Sequence, residues 1–342
     1  MKIKNGSFGY NKFEFIKEET PIHKLENISK DLDVNLFIKR DDLTSYGVGG
    51  NKLRKLEYLM FEAIQTGADV IVTTGGAQTN HGRLTAAVSN LLEKKCVIVT
   101  TDEKPKEISA NLLLDGIMGC DVCFKPNRSL EEAIDEVFQD IEARGEKPYF
   151  IPMGGSNELG LLGYYDCSIE IDRQIKENEE LNNGSKLKTF VTVGSCGTYL
   201  GMKMAVENEN LNIDLEGIQI LPYEEGVQNY LAEYYKKAKE KFNLKHELKP
   251  DDFRVDGEYF FGAYNNPVKE VREAIYYMAR REAIILDPCY TGKTFNAILR
   301  KIKKGEIKKD SNVLFMHTGG LPGIYTTQHR VEFEKDLESY FY

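Results

Sequence analysis

The sequence is short of the features that mark several large functional classes. Positive charge is not in excess: 45 Lys and Arg stand against 54 Asp and Glu, a net charge of −9. A globally acidic chain repels phosphate backbones and anionic lipid, so nucleic acid and membrane surfaces are poor partners. No run approaches the ~20 apolar residues that span a bilayer. The start, Met1-Lys2-Ile3-Lys4-Asn5, has no apolar export segment, so a cytoplasmic protein is expected. Six cysteines in 342 residues do not make a disulfide framework. The one CxxC spacing, Cys120-Asp121-Val122-Cys123, lacks a second pair and falls on strand-like sequence, which argues against zinc or redox chemistry. Cys96, Cys167 and Cys289 sit among apolar neighbours and read as small core residues.

What is there is a globular composition, 41% hydrophobic and 29% charged, in a length that calls for two α/β domains. Thr20-Pro21-Ile22-His23 reads as the opening of a short helix carrying Leu25, Ile28 and Leu32. Strands are expected over 34–39, 70–74, 96–101, 121–124 and 149–152, with helices over 52–66, to about 92, 107–117 and 130–143 between them. Ser129 and Glu132 form a capping-box pattern at the last of these helices. The polar segment Gly154-Gly155-Ser156-Asn157-Glu158-Leu159-Gly160 reads as a boundary. A second series follows, with a helix to about 180, a polar loop over 182–185, and strands over 189–193, 217–221, 283–286 and 312–317. Helices to 208, over 224–242 and 267–281, from 291, and at the C-terminus connect and close it, and 243–254 reads as a charged loop. Alternation of this kind argues for parallel βαβ units, whose ligands lie at the carboxyl ends of the strands.

Several loops in that position carry chemistry. Gly47-Val48-Gly49-Gly50-Asn51-Lys52 delivers a lysine to a helix start, where its amine can form an imine if it loses its proton. Gly194-Ser195-Cys196-Gly197-Thr198 joins strand to helix without a Walker or GxGxxG pattern, which favours a single phosphate monoester over a nucleotide. Gly75-Gly76-Ala77-Gln78-Thr79-Asn80-His81-Gly82-Arg83 offers a hydroxyl, an amide and free N–H groups for a carboxylate, and Arg83 reads equally well as internally paired. Tyr290 and Thr291 follow the apolar run Ile284-Ile285-Leu286, Tyr264 lies in a turn before Pro267, and His317-Thr318-Gly319-Gly320 ends the last strand. A lysine, a phosphate cup, a carboxylate loop and two tyrosines fit a pyridoxal 5'-phosphate enzyme acting on an amino acid.

Five stretches carry a family resemblance: Lys39-Arg40-Asp41-Asp42-Leu43, Gly49 to Glu57, Gly75 to His81, Leu286 to Lys293 and His317 to Gly320. In order and spacing the chain resembles the aminocyclopropane-carboxylate deaminase and D-cysteine desulfhydrase family, of the tryptophan synthase β-like fold. The resemblance implies two open parallel-sheet domains, a large one from 1–55 and 152–342 and a small inserted one from 56–151, with a homodimer as the assembly. It implies Lys52 as Schiff-base lysine and proton-moving base, and Asn80 at the cofactor's ring oxygen. Thr79 and His81, beside Asn80, are implied for the substrate carboxylate. Gly194, Ser195, Cys196, Gly197 and Thr198 are implied for the phosphate, Tyr264 and Tyr290 for the substrate, and Thr291 for the ring nitrogen. Thr79 stands where the family has serine, so a methyl group is expected to crowd the pocket, and Cys196 stands where a small residue is usual. A hydroxyl in place of the deaminase branch's carboxylate at Thr291 points, together with His81, to D-cysteine elimination. Aminocyclopropane-carboxylate, L-cysteine and cysteate stay open as substrates, as does an amino-acid sensor that kept the fold.

Overall fold

The computed structural model describes residues 1–182 and 184–342; Asn183, within the loop expected over 182–185, lies outside the described residues. The chain opens with an antiparallel hairpin, β1 (Ile3–Asn5) and β2 (Asn11–Phe13), which the sequence pattern did not signal. β3 (Ile22–Lys24), α1 (Glu26–Leu32) and β4 (Asn35–Arg40) follow. The expected helix from Thr20 is therefore corrected: β3 pairs antiparallel with β4 at a sheet edge, and α1 begins only at Glu26. Pro21 precedes an edge strand, where its missing N–H costs no ladder bond.

The next run is α2 (Lys52–Gln65), β5 (Val70–Thr74), α3 (Asn80–Leu91) and β6 (Lys95–Thr100). It continues through α4 (Ala110–Ile117), β7 (Asp121–Phe124), α5 (Leu130–Ala143) and β8 (Pro148–Ile151). Its strands form a four-stranded parallel sheet in the order β7-β6-β5-β8. The capping box at Ser129 and Glu132 is formed. α6 (Glu158–Glu177), β9 (Leu187–Val193), α7 (Gly197–Asn208), β10 (Ile213–Gln219) and α8 (Val227–Phe242) come next. β11 (Val255–Asp256), α9 (Lys269–Glu282), α10 (Thr291–Lys303), β12 (Asn312–His317) and α11 (Thr327–Leu337) complete the chain. The second large sheet has the order β11-β10-β9-β12-β4-β3, parallel throughout except at β3. The fold is thus α/β with two open, mostly parallel sheets.

The strand expected over 283–286 is absent. Ala283 adopts a left-handed φ of 56° at the end of α9, and the segment pairs with no strand among the described residues. Its alternation, Ile284 and Leu286 buried around an exposed Ile285, is that of an extended segment laid on the core. No helix of the described residues is long and apolar enough to cross a membrane.

α2 is held from below by buried charge. Arg54 donates through Nε and Nη2 to the two Asp41 oxygens at 2.9 Å each, and to Glu170 on α6 at 2.8 and 3.0 Å. Lys39 donates to Glu170 and, at 2.6 Å, to the Thr20 carbonyl. Glu57 accepts from the backbone of Phe15 and Ile16 at 2.9 Å each. The Lys39-Arg40-Asp41-Asp42 motif is therefore largely structural. Burial pushes the Asp41 carboxyl up, but the Arg54 guanidinium outweighs it and holds the pKa at about 2, below the ordinary 3.8. A depressed carboxyl stabilises the fold above pH 3.8 and loses that contribution as pH falls toward 2. Arg54→Met strands the buried Asp41 carboxylate and should cost about 3–5 kcal/mol at neutral pH. Urea unfolding at pH 7 and pH 3 checks this: the gap between wild type and variant should narrow at the lower pH.

Candidate active site

The turn ahead of α2 takes positive φ at four successive residues, from Gly47 through Gly50. Gly49 has no substitute, because a Cβ there would fall 2.0 Å from the Asp42 carbonyl oxygen. The turn is tied down on several sides: the Gly50 amide donates to Thr44 Oγ1 (2.8 Å), the Asn51 amide to the Thr318 carbonyl (3.0 Å), and Arg83 Nη2 to the Gly49 carbonyl (3.2 Å). Lys52 then leaves the first turn of α2 into a cavity of about 600 Å3 whose walls come from both large sheets. Its Nζ donates to Asn51 Oδ1 at 3.1 Å, and Asn51 Nδ2 donates to Thr198 Oγ1 at 2.9 Å. The lysine turn and the glycine loop after β9 are thereby joined. Burial, helped by the nearby Arg83 charge, lowers the Lys52 pKa from 10.5 to about 8.

Opposite lies the start of α7. Cys196 takes a left-handed φ of 62° there and offers no side-chain cap, so the Thr198 and Tyr199 amides in the first turn of the helix stay open to an anion. Gly194, Ser195, Cys196 and Thr198 line the cavity. Gly197 does not: its amide donates to the Ser195 carbonyl at 2.8 Å, and its Cα packs on Ser156 and Lys55. Behind the loop, Lys55 is fully buried and donates to the Gly154 carbonyl (3.1 Å) and Ser156 Oγ (3.3 Å), and Ser156 Oγ lies 2.9 Å from Ser195 Oγ. Burial and the Lys52 charge pull the Lys55 pKa well below its ordinary value. The sequence motifs assign a role to neither Lys55 nor Ser156, which lies in the segment expected as a boundary. The signal for Lys55 was spacing, since Lys52 and Lys55 stand three apart on one helix face.

The third wall is the start of α3. Thr79 caps it, accepting from the Gly82 amide at 3.2 Å. Its methyl does not crowd the cavity as expected; Cγ2 occupies the space left by Gly82, where a Cβ would lie 2.5 Å away. Asn80 Oδ1 accepts from Asn111 Nδ2 (3.0 Å) and Arg83 Nη2 (3.4 Å), which leaves Nδ2 as its remaining donor. Arg83 is buried and bonded inward, to Asn111 at 2.7 Å. His81 lines the cavity with Nδ1 unpartnered, and burial with the Lys52 and Lys55 charges keeps its imidazole neutral.

Tyr264 and Tyr290 close the cavity with their hydroxyls in contact and their rings edge to face, centroids 5.6 Å apart. Burial raises the Tyr290 pKa, so it is a protonated phenol at neutral pH. Thr291 is corrected: it does not line the cavity. Its hydroxyl donates to Asp287 Oδ1 at 2.6 Å and accepts from the Asp287 amide at 2.9 Å, while the same carboxylate takes the amides of Cys289, Tyr290 and Thr291. Tyr223 and Tyr230, also missed, line the far end, and Tyr223 meets Cys196 Sγ at 3.1 Å. Tyr223 stands just past the carboxyl end of β10, which was the available signal.

The Pyridoxal-phosphate dependent enzyme family matches residues 14–319. The chain belongs to that family. Two relatives bracket it. It is 36% identical over 320 residues to a protein of Pyrococcus abyssi that carries the provisional name 1-aminocyclopropane-1-carboxylate deaminase, across 92% of this chain and 93% of the relative. It is 34% identical over 350 residues to the D-cysteine desulfhydrase of Yersinia enterocolitica, across 97% and 100%. The crystal structure of an ACC deaminase homologue superposes with a TM-score of 0.83 at 34% identity, covering 96% of both chains. Threonine deaminase isoform 2 of Solanum lycopersicum, 18% identical, shares the fold with a TM-score of 0.62 over 94% of this chain and 83% of its own.

The site of this pyridoxal-phosphate-dependent enzyme fits the group its family uses. An uncapped helix start with the buried Lys55 side chain behind it suits a phosphate, and a lysine with a lowered pKa suits an aldehyde. In cofactor-free protein, acylation of Lys52 should reach half its maximal rate near pH 8, against 10.5 for an unperturbed lysine. Removing a neighbouring positive charge favours protonation, so Arg83→Met should move that midpoint upward. Mass-spectrometric labelling against pH checks both.

Proposed function

We propose that this enzyme catalyses α,β-elimination on a β-substituted amino acid, with D-cysteine and water giving pyruvate, hydrogen sulfide and ammonia. The observation that carries this reading is an absence at the cavity wall: among the described residues no Asp or Glu lines it. Asp287, the acid beside Tyr290, spends its oxygens on four N–H and O–H donors of the α10 start. The bound cofactor supplies an electron sink beside Cα, and that sink is strongest when a carboxylate keeps the ring nitrogen protonated. With only neutral groups at the wall, a substrate whose Cβ group leaves readily as an anion is favoured over one whose cyclopropane ring must open. The name of the Yersinia relative supports the same choice.

In this reading the protein's own groups divide the work. The Lys52 amine anchors the cofactor covalently and, once released, takes the Cα proton. Lys55 and the open amides of α7, with Ser195 and Thr198, hold the phosphate. Asn80 gives its Nδ2 donor to the ring oxygen. The Thr79 hydroxyl, with Asn80 and His81, holds the substrate carboxylate at the start of α3. The Tyr290 phenol, in contact with Tyr264, supplies the proton that accompanies the departing sulfur. Thr291 acts one step back, fixing the turn that presents Tyr290. We also propose that residues 56–151 form the smaller domain and close over the bound substrate, which excludes water from the proton transfers.

A panel of D- and L-amino acids with keto acid and sulfide detection tests the substrate. D-cysteine should release pyruvate and sulfide together. Release of 2-oxobutyrate from 1-aminocyclopropane-1-carboxylate at a comparable kcat/KM would instead favour the deaminase reading. Lys55→Met should weaken cofactor affinity by about tenfold, the scale of losing the buried donor that holds Ser156 against Ser195 behind the phosphate loop. Titration of the cofactor absorbance checks that value.

A further inference from the structure

Lys293 stands on α10, three residues past Tyr290, and does not line the cavity. It is 0% exposed. A lysine is almost never so buried without a carboxylate partner, and none of the ion pairs among the described residues includes it. Its Nζ is surrounded by backbone carbonyls instead: Phe260 at 2.8 Å, Ala263 at 2.8 Å, Tyr264 at 2.9 Å and Ile220 at 3.4 Å. An ammonium has three N–H donors and no acceptor, so the three short contacts use it completely. A neutral amine could serve only two of the three close carbonyls, and charge-assisted bonds are the stronger kind.

The three close carbonyls belong to one loop, between β11 and α9. Phe261 and Gly262 hold left-handed φ values of 57° and 79° within it, and Tyr264 is 39% exposed. It has other ties as well: Asn266 Nδ2 donates to the Phe261 carbonyl (2.9 Å), and the Arg300 guanidinium lies 5.5 Å from the Phe261 ring centroid. Cys289 Sγ donates to the Tyr264 carbonyl (3.2 Å), and Asn265 is met by Gln328 (2.8 Å) and His329 (2.6 Å). We propose that Lys293 is a positioning residue: through the carbonyls of 260–264, its buried ammonium sets where the Tyr264 hydroxyl meets Tyr290 at the cavity. One helix then places both phenols, Tyr290 by direct attachment at its start and Tyr264 through the ammonium. The inference rests on the reading above that Tyr264 faces the substrate.

The test compares the holoenzyme with Lys293→Ala and Lys293→Met. In both variants, hydrogen exchange of peptides covering 260–266 should rise and KM for D-cysteine should increase by about tenfold, the scale of a lost hydrogen bond to a charged group. The cofactor absorbance should not change, because neither Lys52 nor the α7 loop is touched. Methylammonium should restore exchange protection and KM in the alanine variant, which leaves room for it, and not in the methionine variant, which fills the space. Unchanged exchange in both variants would overturn the proposal, as would loosening of the alanine variant that methylammonium does not reverse. If the alanine variant fails to fold, the methionine variant, close to lysine in length, still carries the exchange test. Loosening that methylammonium reverses, with turnover unmoved throughout, would leave the pinning intact and count against the substrate-facing role of Tyr264.

Discussion

Unbalanced positive charge is the constraint on which this site depends. Lys52 lines the cavity, Lys55 lies behind its glycine loop and Arg83 behind Asn80; the buried Asp115 faces Arg83, and no carboxylate lines the wall to answer the two lysines. Each cation feels burial and a neighbour: Arg83 acts on Lys52, Lys52 on Lys55, and both lysines on His81. Uncompensated buried charge is unfavourable. In the proposed reading the arrangement is relieved by anions, a phosphate at the start of α7 and a carboxylate at the start of α3. Binding them also stabilises the fold by mass action. The same crowding leaves the Lys52 amine easily deprotonated, which the chemistry needs.

The scaffold keeps these charges apart. α2 carries Lys52 and Lys55 on one face and Arg54 on another, and the buried Asp41–Arg54–Glu170 cluster fixes its rotation against β4 and α6. Arg83 reaches from α3 to the Gly49 carbonyl, so the turn that delivers Lys52 answers to both sheets. On the other side, Asp287 organises the start of α10 and Lys293 gathers the loop that bears Tyr264.

Much of this was legible in the sequence, where local rules suffice. An apolar strand followed by Gly194-Ser195-Cys196-Gly197 could only turn sharply into a helix start, and Gly47 to Lys52 announced positive φ before a lysine. β5, β7 and α5 were bounded correctly because alternation, length and the Ser129 cap agreed. What failed were features decided by which groups meet in three dimensions, near or far along the chain. Ile284-Ile285-Leu286 alternates like a strand and has no neighbour to pair with. Thr291 carried a role suited to its place in a motif, but its hydroxyl is claimed by Asp287 four residues earlier. Thr79's methyl found room because Gly82 has no side chain. Lys55 and Ser156 meet only in three dimensions, 101 residues apart, and nothing local marks Ser156.

The most direct test of the account is to find which lysine holds the cofactor. Borohydride reduction of the yellow holoenzyme, followed by proteolysis and peptide mapping, should place the pyridoxyl group on Lys52 alone. Recovery of that group on Lys55, or on any lysine outside the cavity, would contradict the assignment of the amine and the division of charge built on it.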